Sequence, residues 1–403
     1  MIFTINRFYL ACNPSFSYNC LDRNCYVMES RVIVLSDYIR PGKTIGIIGG
    51  GSIARFLALR AKKMGFFVHI LDPRKDCAAA SIADLLIQAE YNDLRELERL
   101  GRMCDVVAYT TDKVDVDILS CVNEMNLPQG TDMLAITQDL LMQKGFLEDN
   151  GINIAPYATI VMITDIEENI DGIGYPCYLR PTREDDYLEL QGPQDIVEAM
   201  DVVKGQTCIL ESSIPDAKEY SISIARNEKG EMMLFPIVRH YRDEYEGYLN
   251  QVTTQHCLPE EVEEEMRRIA KKIALGLSLK GLISIEFNVT EMGAIYVDRI
   301  IPRLYEGNFY SEEVCGMTMT EAFIRSLCNW PLEKESKLES DCVTVMLYGR
   351  DISTAQRQIQ SQPHWHFYFY DRDDAITTTR VGHINVPTTS VEKEREAIDG
   401  VML

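Results

Sequence analysis

Residues Thr44 to Asp72 constrain this chain more than any other stretch. Thr44-Ile45-Gly46-Ile47-Ile48 is an apolar, β-rich run of the kind that forms a buried strand. Gly49-Gly50-Gly51 follows as a tight turn, and Ser52 to Met64 reads as a helix with apolar Ile53, Phe56, Leu57 and Leu59. Phe67 to Leu71 is a second β-rich run, ending at Asp72-Pro73. Two strands joined through such a helix lie parallel, so the chain must build an α/β sheet. The turn has the form G-x-G-x-x-A, with an acid after the second strand, which is also the pattern of a dinucleotide-binding turn. Other α/β domains open on the same unit, so the pattern alone gives only a low-weight reading as a dinucleotide-binding oxidoreductase.

The chain continues in α/β fashion. Strands are expected around Leu86-Ile87 and over Val106 to Tyr109, with helices over Leu94 to Arg102 and Val116 to Glu124. Pro128-Gln129-Gly130 marks a boundary, and one helix is expected from Met133 to Asn150. A strand near Ile154, a β-rich piece over Ile160 to Ile163 and a helix over Asp165 to Ile170 come next. Cys177 to Leu179 and Tyr187 to Leu190 read as a strand pair, followed by a helix from Asp195 to Val203 and a strand from Thr207 to Glu211. Long antiparallel strands are expected over Glu219 to Arg226 and Met232 to His240. Pro259 to Leu275 is an amphipathic helix, with Val262, Met266, Ile269 and Ile273 on one side. Beyond Pro331 strands and turns alternate through His383.

At 403 residues the chain calls for two or three domains. A net charge of −22 repels phosphate backbones and anionic lipid, which argues against nucleic acid and membrane surfaces as partners. No apolar run is long enough to span a bilayer. None of the twelve cysteines forms a C-x-x-C pair, and the pattern fits reduced core thiols in a cytoplasmic protein. Phe8 to Cys12 faintly resembles a lipoprotein cleavage site, but Asn6 and Arg7 break the short apolar run before it. The preferred reading of the first 27 residues is a poorly ordered extension ahead of a start at Met28.

Ser284 to Arg303 is where chemistry is expected. Ile283, Ile285 and Phe287 mark one strand, Glu291-Met292-Gly293 a turn, and Ala294 to Ile301 a second strand stopped by Pro302. A carboxylate on each of two neighbouring strands is a good way to hold Mg²⁺ against nucleotide phosphates. Glu286 supplies the first, whereas the second strand offers Asp298 and then Arg299.

Over nearly all of residues 42–390 the order of these pieces resembles the PurK-type N5-carboxyaminoimidazole ribonucleotide synthetases, members of the ATP-grasp superfamily. The resemblance is carried by Gly46 to Gly51, Leu71-Asp72-Pro73, Cys104 to Val107, Thr137-Gln138-Asp139 with Lys144, and Gly174-Tyr175-Pro176. It continues through Glu211, Glu219-Tyr220-Ser221, Ile285-Glu286-Phe287, Ile300 to Arg303 and Val381-Gly382-His383. It implies an α/β protein with an N-terminal Rossmann-like domain (42–132, after an extension over 1–41), a central ATP-grasp domain (133–330) and a small C-terminal β domain (331–403). It further implies a homodimer that joins ATP, bicarbonate and aminoimidazole ribonucleotide with Mg²⁺.

Carried over residue by residue, the resemblance puts Arg180 where the family has a phosphate-touching lysine, Glu211 beside the base and Glu219 at the ribose. Glu286 is the first metal ligand. Fixing the register on Ile300, Pro302 and Arg303 puts Asp298 at an asparagine and Arg299 at the second metal-binding glutamate. Because alternate strand residues face opposite ways, Asp298, the other candidate metal ligand, cannot replace the lost glutamate without a twist or slip of the strand. A glycine-rich phosphate loop is replaced by Thr182-Arg183-Glu184-Asp185-Asp186. Ser52, Ala54, Thr110, Asp112 and Leu140 depart from the ribonucleotide motifs, and Arg372 and Arg380 are candidates for its phosphate. Arg180 and Arg303 are the candidate catalytic residues. These departures together imply a divergent member with weak or no carboxylation activity, for which ATP and Mg²⁺ binding is not assured, kept as a nucleotide-binding regulatory or scaffolding protein. The alternative is an active ATP-dependent carbon–nitrogen ligase on the same or a related small substrate.

Overall fold

The computed structural model describes residues 38–122, 124–183, 187–243, 247–370 and 379–402, with the backbone of 25–28 and 31–34. Most of the N-terminal extension, the acids Glu184 to Asp186, and Arg372 lie outside the described residues. β1 (Cys25–Met28) and β2 (Arg31–Val34) form a small antiparallel pair.

The first domain is the expected parallel unit. β3 (Thr44–Ile48), α1 (Ser52–Lys63), β4 (Phe67–Asp72), β5 (Leu85–Gln88), α2 (Leu94–Met103), β6 (Val106–Tyr109) and α3 (Val116–Ser120) give a four-stranded sheet in the order β5-β4-β3-β6. α1 buries Ile53, Phe56, Leu57 and Ala61, as its spacing requires, while Leu59 is exposed. The carboxylate of Asp72, wholly buried, accepts from Gly50 N–H at 2.7 Å, Tyr91 O–H at 2.7 Å and Arg74 N–H at 2.9 Å. Asp72 thus ties the glycine turn to its own sheet and is spent on structure, which removes the acid that a dinucleotide ribose would need.

The helix expected over Met133 to Asn150 is two helices, α4 (Asp132–Thr137) and α5 (Leu140–Asp149). Asp139 is the reason: extended at φ −127°, it caps α5 by accepting from Leu141 N–H and Met142 N–H. β7 (Tyr157–Ile160), α6 (Ile163–Ile173), β8 (Cys177–Pro181), β9 (Leu188–Leu190), α7 (Ile196–Val203) and β10 (Cys208–Ser212) make a small antiparallel sheet, order β7-β10-β8-β9. The β-rich reading of Ile160 to Ile163 is therefore shifted, with Ile163 opening a helix.

The large sheet follows. It contains β11 (Lys218–Arg226), β12 (Met232–Leu234), β13 (Val238–Arg242), β14 (Leu249–Thr253), β15 (Gly281–Val289) and β16 (Ile295–Ile301), with α8 (Glu260–Gly276) before β15. Met232 to His240 is interrupted at Pro236, which cannot donate to a ladder. α9 (Ser311–Val314) and α10 (Met319–Leu327) lead to β17 (Asp341–Tyr348), α11 (Ile352–Gln358), β18 (His366–Phe369), β19 (Arg380–Thr388) and α12 (Val391–Met402). The sheet order is β16-β15-β11-β13-β14-β17-β19-β18, with β12 beside β11. The C-terminal strands thus extend the central sheet through the β14–β17 pairing, Thr253 opposite Val343.

The two faces of this sheet differ. Tyr220, Ile222 and Ile224 of β11 and Ile283, Ile285 and Phe287 of β15 are buried against Met266, Ile269 and Ile273 of α8. At roughly 1.5–3 kcal/mol per buried aliphatic or aromatic side chain, this face anchors the strands that carry the site. The other face presents Glu219, Ser221 and Ser223 opposite Asn288, Glu286 and Ser284.

Candidate functional site

The polar face of β11 and β15 is one wall of a charged cleft. β13 and β16 widen it, and the small sheet with α5 closes the other side. Across it Lys144, Arg180, Arg242 and Arg299 meet Glu211, Glu219, Glu286 and Asp298 in pairs.

Glu286 is at the centre and nearly buried. Its Oε2 accepts from Arg299 Nε at 2.8 Å, and its Oε1 lies 3.8 Å from His240 Nδ1. Burial works to raise this carboxyl, but Arg299, His240 and Arg242 overrule it and hold it at about 2. Burial pushes the His240 imidazole down to about 4 against the pull of Glu286, so it is neutral near pH 7. Ser221 Oγ and His240 Nε2 share a hydrogen bond at 2.8 Å, and burial together with Glu286 drives the Tyr305 phenol far up.

The second carboxylate is not where alternation puts it. Glu286 pairs with Arg299, but the next residue, Phe287, pairs with Val297. Asp298 is the extra residue of a β-bulge, and a bulge re-aims a side chain. The bulge is the slip that brings Asp298 in, against strict alternation: its Oδ1 receives Arg180 Nη1 at 3.2 Å, so Asp298 and Arg299 both serve the cleft. Burial raises the Asp298 carboxyl, and Arg180 and Lys144 more than reverse it.

Glu211 and Lys144 form a deeply buried ion pair in which Lys144 Nζ donates to Glu211 Oε1. Glu211 Oε2 is 3.5 Å from Arg180 Nη1 and has no hydrogen-bond partner among the described residues. Arg180, on β8, also lies beside the rings of Tyr178 and Tyr187, 5.7 and 5.8 Å from their centroids, the two rings themselves meeting edge-to-face. Glu219 is clasped by Arg242, whose Nε reaches both carboxylate oxygens at 2.8 and 2.7 Å. Burial still raises the Glu219 carboxyl, with Arg242 opposing.

The structure thus brings Arg180, Glu211, Glu219, Glu286, Asp298 and Arg299 into one cleft. Arg303 stands at its edge, 3.5 Å from Asp112 of the first domain. Arg380 starts β19 with its guanidinium 5.9 Å from the Tyr348 ring, and Arg372 lies outside the described residues. Lys144 and Arg242 do not follow from the hairpin alone. Period-two spacing would have put Val238, His240 and Arg242 on one face of β13, whereas the Lys144–Glu211 contact spans 67 residues without a local signal.

Mg²⁺ demands near-octahedral oxygen ligands at about 2.0–2.1 Å. Among the described residues no three acidic, histidine or cysteine side chains are grouped to hold a metal ion. Glu286 is committed to Arg299 and Asp298 to Arg180. A guanidinium at roughly 5 Å from a dication, in an effective dielectric of about 20, costs on the order of 7 kcal/mol. As arranged, the set does not fit Mg²⁺.

A ribonucleotide synthetase pre-ATP-grasp domain matches residues 42–138, and an ATP-grasp domain matches residues 145–319. N5-carboxyaminoimidazole ribonucleotide synthase of Staphylococcus saprophyticus is 28% identical over 367 residues, covering 89% of this chain and 96% of that protein. The solved ADP complex of PurK, an N5-carboxyaminoimidazole ribonucleotide synthetase, superposes with a TM-score of 0.87 at 30% identity, covering 91% of this chain and 98% of the other. The Staphylococcus aureus synthetase complexed with ADP gives the same TM-score at 25% identity, covering 91% and 99%. The fold and cleft are those of an ATP-grasp protein, with a pre-ATP-grasp domain ahead of it. The chain belongs to the PurK-type N5-carboxyaminoimidazole ribonucleotide synthetase family.

Proposed function

We propose that this chain is a divergent family member in which ATP-driven carboxylation of aminoimidazole ribonucleotide is weak or lost, and that it acts through nucleotide binding as a regulatory or scaffolding protein. One observation carries the reading: Arg299 holds Glu286 at 2.8 Å in the place of a second metal-binding carboxylate. Relatives of the same fold are solved with ADP, which supports a nucleotide in this cleft. The buried Glu211 Oε2, lacking a hydrogen-bond donor, is an acceptor suited to a base N–H. On this reading Arg180, Glu211 and Glu219 contact the nucleotide, and Arg303 fixes the edge of the cleft against Asp112. The three-domain division at 42, 133 and 331, a homodimer, a cytoplasmic setting, and Arg372 and Arg380 as phosphate contacts belong to the same proposal.

The test is ATP hydrolysis in Mg²⁺, with and without bicarbonate and aminoimidazole ribonucleotide. No stimulation by the two substrates is expected, and substrate-stimulated turnover would overturn the reading. The bulge favours a second reading, an active ATP-dependent carbon–nitrogen ligase, because it turns Asp298 into the cleft alongside Glu286. That reading requires Arg180 and Arg299 to release both carboxylates, and it predicts the stimulated turnover.

A further inference from the structure

The charges of the cleft are layered. The carboxylates of Glu211 and Glu286 lie at the back, with 3% and 6% of their side-chain surface exposed. Arg180 and Arg299 lie in front of them, with 20% and 33% exposed. The bulge makes this layering possible. It sets Asp298 and Arg299 side by side into the same cleft, and it lets Arg180 take Asp298 while Arg299 takes Glu286. An arriving cation therefore meets guanidinium first, and an arriving anion meets the partner it needs.

We infer that this cleft takes a nucleoside di- or triphosphate without a divalent metal, with Arg299 as the counter-ion where a carboxylate-held Mg²⁺ would sit. The inference rests on the nucleotide-binding part of the reading above. A planar guanidinium matches phosphate oxygens two at a time, and its charge cannot be removed by pH. Phosphates already wrapped by Mg²⁺ offer fewer oxygens and less negative charge to two arginines. The free polyphosphate is thus the better ligand, and added Mg²⁺ competes with the protein for it. Arg180, beside the paired rings of Tyr178 and Tyr187, is the second contact and holds the phosphates against the small sheet.

The experiment is calorimetric titration of the full chain with ADP and with ATP, in excess EDTA and in excess MgCl₂. Affinity in EDTA is expected to equal or exceed that in MgCl₂. Arg299→Glu should weaken binding in EDTA by about tenfold or more and make the remainder depend on Mg²⁺. Arg299→Lys should weaken it less and stay metal-independent, and it stands in should the charge reversal fail to fold. Tighter binding in MgCl₂ by the unaltered chain overturns the inference, as does an Arg299→Glu affinity in EDTA equal to that of the unaltered chain. Absence of binding in both buffers also overturns it, while leaving the loss of carboxylation to be judged separately by substrate-stimulated hydrolysis.

Discussion

Asp72 and Glu286 are both nearly inaccessible carboxylates in strands, and they are satisfied in opposite ways. Asp72 accepts from two backbone N–H groups and a tyrosine hydroxyl at 2.7 to 2.9 Å, with the Arg74 guanidinium only an outlying fourth partner at 3.4 Å. Glu286 is met by Arg299 from the next strand, with His240 and Arg242 behind. The first arrangement rests mainly on dipoles fixed by the fold. The second is built from a side-chain cation that reaches solvent and has somewhere else to go. A carboxylate held mainly by backbone is architecture, whereas one held mainly by a part-exposed guanidinium can belong to a binding site.

The largest effect should come where the cleft is most like a core. Lys144→Met leaves Glu211 buried with its main partner gone, a change worth about 4 kcal/mol on the usual scale for a broken buried pair. Adding Glu211→Leu should recover most of that loss, as read by denaturant midpoints. No recovery would mean that Arg180, 3.5 Å from Glu211, is the true counter-ion. Next comes Asp72→Ala, which strips the acceptor from Gly50, Arg74 and Tyr91 together and should cost about 3 kcal/mol. Its nucleotide affinity should stay unchanged, and a loss of binding at full stability would break the division between the two regions.

The parallel unit was legible because its signals are local. Thr44 to Asp72 carries its strand, turn and helix in contiguous residues, and the apolar positions of α1 and α8 fall at helical spacing. The hairpin too was legible, with Gly293 in its turn at φ +82°. The orientation of Asp298 was not, because a bulge leaves no trace in a period-two pattern and inverts everything past it. The break at Asp139 was hidden since Thr137 and Leu140 both suit a helix, and only the cap separates them. The pairing of Arg180 with Asp298, 118 residues apart, depends on how two sheets face each other, which the motifs alone do not state.

Acidification separates the two regions further. His240 has its proton affinity lowered by burial to about 4, against 6.5 for a free imidazole. Below pH 6.5 the unfolded chain takes up a proton that the folded one refuses, so stability falls as pH drops towards about 4. The slope is about 1.4 kcal/mol per pH unit for this one group. Glu286, held at about 2 against 4.5, contributes stability that is complete above 4.5 and is lost as pH falls towards about 2. His240→Gln should flatten the upper part of the urea-midpoint profile and leave the lower part in place. An unaltered upper slope would place the acid sensitivity outside the cleft.

The smallest effects come from one methyl group placed at the turn of each region. Gly49 has φ +101°, and a Cβ there would meet Thr110 Oγ1 at 2.9 Å and Thr111 Cγ2 at 3.1 Å, from the end of β6. Gly293 has φ +82°, and its Cβ would meet only Val262 Cγ2, at 3.2 Å, the tip of a side chain on α8. Both substitutions by alanine carry the strain of a left-handed backbone, about 1 kcal/mol. Gly49→Ala adds a contact that the sheet cannot relax, so it should cost about 2 kcal/mol, while Gly293→Ala should stay near 1. Thermal midpoints of the two variants measure the difference. Equal losses would show that the parallel unit is as yielding at its turn as the hairpin. A larger loss for Gly293→Ala would mean that the turn, and not the apolar face beneath it, keeps Glu286 and the bulged Asp298 in register.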